Sequence, residues 1–118
     1  MIATKNPYSK ETIKEYYAHT DLQVAHMLDA AQDRFLQWRE VPVERRTKML
    51  KNLAGLLVDR QKHYAELITT EMGKPVSQSL SEVEKCAWVC DFYAKNASSF
   101  LADALIETDA DESFISYD

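Results

Sequence analysis

Glu71-Met72-Gly73-Lys74-Pro75 separates two long stretches of helical sequence and decides how this chain folds. Glycine adopts the left-handed backbone conformation that often terminates a helix, and it does so without the steric cost that other residues incur. Proline two residues later cannot continue a helix, because it lacks the backbone N–H and clashes with the preceding turn. The segment therefore predicts a helix that ends near Met72 and a second helix that begins after Pro75.

Composition is typical of a soluble, ordered and mainly helical protein. The chain has 118 residues, 46% of them hydrophobic and 28% charged, which suits one small domain or a piece of a larger one. Two glycines and three prolines are few, so most of the chain should lie in long regular elements. The net charge of −5 provides no basic surface for nucleic acid, and we expect no such partner.

The sequence also argues against a membrane or secreted location. No apolar run approaches the roughly 20 residues that a membrane-spanning helix needs. The N-terminus has no signal-peptide pattern, and two cysteines do not make the disulfide framework of a small secreted domain. We therefore expect a cytoplasmic protein without a membrane partner.

Residues 1–20 are predicted to form a β-hairpin arm. Asn6-Pro7-Tyr8-Ser9-Lys10 has the residues of a turn, since proline fixes its own φ and asparagine bonds nearby backbone amides. The flanks, residues 2–4 and 12–17, contain β-branched and aromatic side chains that favour strands.

Three long helices are predicted in residues 21–104. The first extends from about Asp21 to Glu40, and Thr20 and Gln23 have the spacing of a capping box at its start. The second extends from Val43 to Met72, and the third from Ser77 to Leu101. Each has an apolar stripe at helical spacing, which indicates packing against neighbours.

Residues 105–118 are predicted to form a loop and one short strand, from Ser113 to Tyr117, with no mate nearby. The third helix is also apolar on more than one face, through Trp88, Phe92, Tyr93 and Phe100. The predicted fold is mainly α, with an N-terminal hairpin, three long helices and a terminal strand. Its unpaired strand and excess apolar surface favour self-association.

Cys86 and Cys90 are one helical turn apart and share a face of the third helix. One turn holds two sulfurs in poor disulfide geometry, and the three histidines have no metal-ligand spacing relative to them. A catalytic thiol needs an activating positive environment, whereas the nearby charges are mostly acidic. We therefore interpret both as buried or half-buried structural thiols, and we predict neither a metal site nor a catalytic residue.

Three further features have structural interpretations. The basic run Arg45, Arg46, Lys48 and Lys51 is interpreted as an exposed helix face, with a phosphate-binding patch as the alternative. Trp38 and Trp88 are interpreted as core anchors. No glycine-rich loop is present that could hold a phosphate group.

An ordered set of short motifs nonetheless extends over nearly the whole chain. They are Asn6-Pro7 with Thr12-Ile13, Ala30-Ala31-Gln32-Asp33-Arg34-Phe35 with Trp38-Arg39, Glu44-Arg45-Arg46, Leu67-Ile68-Thr69-Thr70-Glu71-Met72-Gly73-Lys74-Pro75, Glu82-Val83, and Asp91-Phe92-Tyr93-Ala94. Each motif alone is weak, but their order is specific. The chain resembles the N-terminal segment of the aldehyde dehydrogenase superfamily, and most of all its bacterial succinate-semialdehyde dehydrogenases.

The resemblance implies an enzyme that oxidises an aldehyde to its acid with NAD or NADP, within a dimer or higher homo-oligomer. It also implies that the nucleophilic cysteine, the general-base glutamate and the cofactor-binding loops lie beyond Asp118. Neither cofactor is expected to bind this chain alone, and no catalytic or cofactor-binding residue is assigned here. Residues 21–104 would belong to the cofactor-binding domain of an α/β fold, and residues 105–118 to a truncated oligomerisation sheet.

Ser81 and Lys85 are the two positions that the resemblance places beside the substrate channel. A lysine there would attract an anionic aldehyde, although an exposed helix lysine with no such role is the plainer interpretation. An alternative function is a self-associating helical module without catalysis.

Overall fold

The protein is described by a computed structural model that covers residues 1–117. Strands β1 (Ile2–Lys5) and β2 (Thr12–Tyr16) are followed by helices α1 (Asp21–Trp38), α2 (Val43–Asp59), α3 (Gln61–Met72) and α4 (Val76–Phe100). Two short strands, β3 (Ala104–Leu105) and β4 (Phe114–Ile115), complete the described part. The mainly α fold is confirmed.

The N-terminal hairpin forms as predicted. β1 and β2 pair antiparallel, with Ile2 opposite Tyr16 and an irregularity between Thr4 and Lys5. Asn6 closes the turn, because its Oδ1 accepts hydrogen bonds from the backbone N–H groups of Tyr8 at 2.9 Å and Ser9 at 3.3 Å.

The capping box at the start of α1 is also confirmed. The Thr20 hydroxyl accepts from the Gln23 N–H at 3.3 Å, while Gln23 Oε1 accepts from the Thr20 N–H at 2.9 Å. None of the residues of α1 is buried, so its predicted apolar stripe faces outward along its length.

The predicted second helix is two helices. The chain bends at Arg60, whose backbone (φ −110°, ψ 18°) leaves the helical region between α2 and α3. Neither glycine nor proline lies there, so no residue type indicates the break. Both halves pack against α4.

The last strand also differs from the prediction, because it has a mate. Phe114 and Ile115 pair antiparallel with Leu105 and Ala104, and the N–H of Ile106 donates to the carbonyl of Ser113 at 2.8 Å. The intervening acidic residues form a loop long enough to bring the two ends together, which the prediction of an isolated strand overlooked.

The joint at Gly73 is as predicted and has a further contact. Gly73 has φ of +70° and caps α3, with its N–H donating to the carbonyl of Thr69 at 2.9 Å. A Cβ on Gly73 would lie 2.8 Å from Cγ of Pro7. The tip of the N-terminal hairpin therefore packs directly against the reversal between α3 and α4.

Polar contacts hold α3 and α4 together beyond this joint. Ser79 is fully buried, and its hydroxyl shares a hydrogen bond of 2.9 Å with that of Thr69. Lys74 forms an ion pair with Glu82, which ties the joint to the second turn of α4.

The core of the described residues is made of small side chains. Its buried members are Ala54, Ala65, Ser79, Val83 and Ala87. Helices that meet through alanine and serine approach closely, and their larger side chains then lie to either side of the contact. Val83 and Ala87 lie one turn apart on α4, on the face that contacts the neighbouring helices.

The chain is extended and exposes much of its surface. Its radius of gyration is 20.7 Å, whereas a compact chain of this length has about 13–14 Å. Its accessible surface is 10004 Å², against about 6,600 Å² for a compact monomer of this size. The excess is comparable to the area that a large protein interface buries.

Replacing Gly73 with alanine should destabilise the chain by about 1–2 kcal/mol through the left-handed backbone alone. The new Cβ would add to this loss, because it would meet the Pro7 ring at 2.8 Å. Urea denaturation followed by the helical circular dichroism signal measures the change.

Gly55→Ala provides the matched control, because Gly55 lies within α2 and a Cβ there meets nothing within 4 Å. This variant should be more stable by about 0.5–1 kcal/mol. Equal effects of the two substitutions would contradict the role assigned to Gly73.

Candidate functional site

Ser81 and Lys85 lie one turn apart on α4, and both are exposed. Together with Glu84 and Trp88 they line a shallow depression of about 350 Å³. The regular helix alone brings these four side chains together, since their spacing places them on adjacent rows of one helix surface.

The depression contains one cation and one carboxylate. The Ser81 hydroxyl donates to the carbonyl of Ser77 at 3.1 Å, which occupies its only proton within the helix. Among residues 1–117 no carboxylate forms an ion pair with Lys85, so its ammonium group can attract an anion. The four residues that line the depression include no nucleophile paired with a base. The depression could therefore attract a ligand, but it provides no groups for a chemical step.

Trp88 is 61% exposed and joins this depression to a larger groove of about 510 Å³ between α2 and α4. Ala54, Gly55 and Ala87 line the groove. The prediction that Trp88 is a core anchor is wrong. α4 contacts α2 through the buried Ala87, and Trp88, the next residue, lies beside that helix contact and not within it. Trp38 is likewise 39% exposed and no core anchor.

The two cysteines have different surroundings. Cys90 is half-buried, as predicted, whereas Cys86 is exposed, so the prediction of a buried or half-buried thiol is wrong there. Cys86 lies just before the buried position Ala87 and falls outside the helix contact. In the part of the chain that the structure covers, no three His, Cys, Asp or Glu side chains are grouped as metal ligands.

The basic run on α2 is mostly an exposed face, but Arg46 departs from that interpretation. Arg45, Lys48 and Lys51 are exposed, whereas Arg46 is half-buried. Its Nε is fully covered and has no hydrogen-bond acceptor among the described residues. Sequence reasoning missed this residue, although its spacing to Val43 and Leu50 places it within the apolar stripe of the helix.

Both glycines of the chain are at helical positions. Gly55 lies inside a helix and Gly73 caps one, and neither belongs to a loop that could approach a pyrophosphate. Over residues 1–117, no helix is both long and apolar enough to cross a bilayer.

Comparison with known proteins agrees with the resemblance of the motifs. The model of the aldehyde dehydrogenase family matches residues 1–118. A probable succinate-semialdehyde dehydrogenase [NADP(+)] of Synechocystis sp. is 43% identical over 98% of this chain and 26% of its own length. The succinate-semialdehyde dehydrogenase [NADP(+)] of Deinococcus radiodurans is 31% identical over 84% of this chain and 21% of its own.

A solved structure supports the fold as well. The succinic semialdehyde dehydrogenase of Streptococcus pyogenes, crystallised with NADP⁺ as the cofactor, has a TM-score of 0.89 and 32% identity to this chain. The match covers 95% of this chain and 25% of that one. The chain thus spans about a quarter of the length of these relatives and corresponds to their N-terminal part. With the family model matched from the first residue to the last, the chain belongs to the aldehyde dehydrogenase family.

Proposed function

We propose that this chain acts as the N-terminal segment of an NAD(P)-dependent succinate-semialdehyde dehydrogenase. The observation that carries the proposal is the 43% identity to the Synechocystis sp. relative over 98% of the chain. In the reaction, the aldehyde, the oxidised cofactor and water give the carboxylic acid, the reduced cofactor and a proton. None of the residues described here takes a chemical step in it.

The role of the segment is structural. Its accessible surface of 10004 Å² and its outward apolar side chains need other protein surface to cover them. Residues 21–104 would supply helices to the cofactor-binding domain, and residues 105–118 would contribute to the sheet through which a cytoplasmic homo-oligomer assembles.

The depression at Ser81 and Lys85 would lie beside the substrate channel. An exposed ammonium group attracts a carboxylate only weakly, since water and salt screen the interaction. Lys85 would thus raise the local concentration of an anionic aldehyde and leave the bond-forming steps to other residues.

The chain by itself should not oxidise aldehydes. Incubation with succinate semialdehyde and either NAD⁺ or NADP⁺ should produce no reduced cofactor, as measured by nicotinamide absorbance. The Synechocystis sp. relative serves as the positive control. Sustained turnover by the 118-residue chain would overturn the assignment of a purely structural role.

Lys85→Met should raise KM for succinate semialdehyde about two- to fivefold, the range of a screened surface charge pair. The measurement uses a chimeric enzyme in which this chain replaces the aligned segment of the Synechocystis sp. relative. Because Lys85 takes no chemical step, kcat should not change, and the effect should fade at high salt.

Lys48→Met is the matched control, because Lys48 is equally charged and exposed but lies on α2. It should leave KM unchanged. A neutral aldehyde of similar length should not distinguish the variants either. If both lysine variants behave alike, Lys85 has no place at the channel.

A self-associating helical module is the second candidate, and the exposed aromatic side chains of α4 favour it. Trp88, Phe92, Tyr93 and Phe100 form a cluster whose ring centroids lie 5.4–6.4 Å apart. Light scattering over a dilution series should give a mass that rises with concentration. Phe92→Ser and Phe100→Ser together should lower that mass, and a monomer at every concentration would exclude this function.

A further inference from the structure

Arg46 presents a buried cationic donor with no acceptor. It lies in the first turn of α2, its Nε is fully covered, and no acceptor within residues 1–117 reaches that atom. A guanidinium keeps its charge in proteins, so Arg46 cannot relieve this cost by losing a proton. Since buried donors are paired in the great majority of proteins, an acceptor from elsewhere is expected.

Two recesses adjoin Arg46, and we call them together the corner groove. One, of about 410 Å³, is polar and includes Arg39, Glu40 and Tyr117. The other, of about 330 Å³, is apolar and is lined in part by Trp38 and Leu50. Arg46 lines both, as do Val43 and Leu101. A cation thus lies between a polar and an apolar recess.

The charges of the corner groove favour a carboxylate. Glu40 is the acidic residue in its lining, and its Oε1 lies 3.6 Å from Nε of Arg39. Glu40 thus pairs with Arg39, and within residues 1–117 no carboxylate forms an ion pair with Arg46. The planar guanidinium fork matches the two oxygens of a carboxylate, so an aspartate or glutamate side chain is the fitting acceptor.

The apolar recess selects the source of that carboxylate. A free small carboxylate would pair with Arg46 but leave the surface at Trp38 and Leu50 uncovered. A protein segment with an apolar side chain beside its acidic residue would fill both recesses. The relatives provide such polypeptide, since this chain corresponds to only 26% of the length of the Synechocystis sp. protein.

We propose that the corner groove binds an aspartate- or glutamate-bearing segment, with an apolar residue beside the carboxylate, from the remaining three quarters of the family polypeptide. The proposal rests on the proposed function for the origin of the segment. Arg46 is the anchor of this contact, and Trp38 is its apolar wall.

The test uses the 118-residue chain with Trp88→Phe, so that Trp38 is the single fluorescent tryptophan. Synthetic peptides that tile the remaining part of the Synechocystis sp. relative are titrated against it. At least one peptide with an acidic residue beside an apolar one should bind and change Trp38 fluorescence. Replacing that acid with its amide should weaken binding by about tenfold or more.

Variants of the chain test the same contact from the other side. Arg46→Met should weaken binding about tenfold or more, and Arg46→Lys should weaken it less, because lysine keeps the charge but loses the fork. Arg45→Met is the matched control, since Arg45 is an exposed neighbour, and it should leave binding unchanged. Circular dichroism checks that each variant folds. If Arg46→Met does not fold, the comparison of acid and amide peptides on the parent chain tests the contact instead.

Several results would overturn the proposal. The first is that no peptide binds, and the second is that acid and amide peptides bind equally well. The third is that Arg46→Met binds the peptides as tightly as the parent chain does. The fourth is that succinate or acetate alone gives an Arg46-dependent change in Trp38 fluorescence. Aldehyde oxidation by the chimera is measured separately, so an active chimera without peptide binding refutes the docking contact alone.

Discussion

The left-handed turn at Gly73 is the constraint on which the arrangement of this chain depends. It reverses the chain so that α4 returns along α3, and the absence of a Cβ leaves room for the ring of Pro7. The hydrogen bond between Thr69 and the buried Ser79 then links the two helices. One residue without a side chain thus positions three elements, because a larger residue would disturb both the backbone and the hairpin contact.

α4 is the central element of the described structure, since both α2 and α3 pack against it. Its contact stripe consists of Ser79, Val83 and Ala87, and these small side chains allow close approach of the neighbouring helices. The larger side chains of α4 therefore project away from the core. The same geometry that stabilises the helices leaves Lys85 and Trp88 available to whatever lies outside them.

Local chemistry made much of this fold predictable. Asn6 and Pro7 indicate the hairpin turn, Thr20 and Gln23 indicate the start of α1, and Gly73 indicates the end of α3, since each acts through its own backbone or an immediate neighbour. The bend at Arg60 could not be predicted, because neither glycine nor proline marks it, and in the structure the helices on both sides of it pack against α4. The pairing of β3 with β4 depends on how an acidic loop closes, which residue types alone do not specify.

The side chains of the candidate site were harder to predict than the elements that carry them. Trp88 was assigned to the core because it is large, whereas the stripe of small residues at Ser79, Val83 and Ala87 was the better indicator of the helix contact. Arg46 was assigned to the surface because it is charged, although its spacing to Leu50 places it on the apolar side of α2. In both cases helical position was more informative than residue type.

The contact between Pro7 and Gly73 also constrains the order of folding. The two residues are more than 60 positions apart in the sequence. Closing so long a loop costs chain entropy, and this cost is offset only once the contact has formed. During synthesis the hairpin emerges first but has no surface to pack against until the reversal after α3 has left the ribosome. The N-terminal arm is thus made early and docked late, and during that interval its strand edges are exposed to proteases and to other nascent chains.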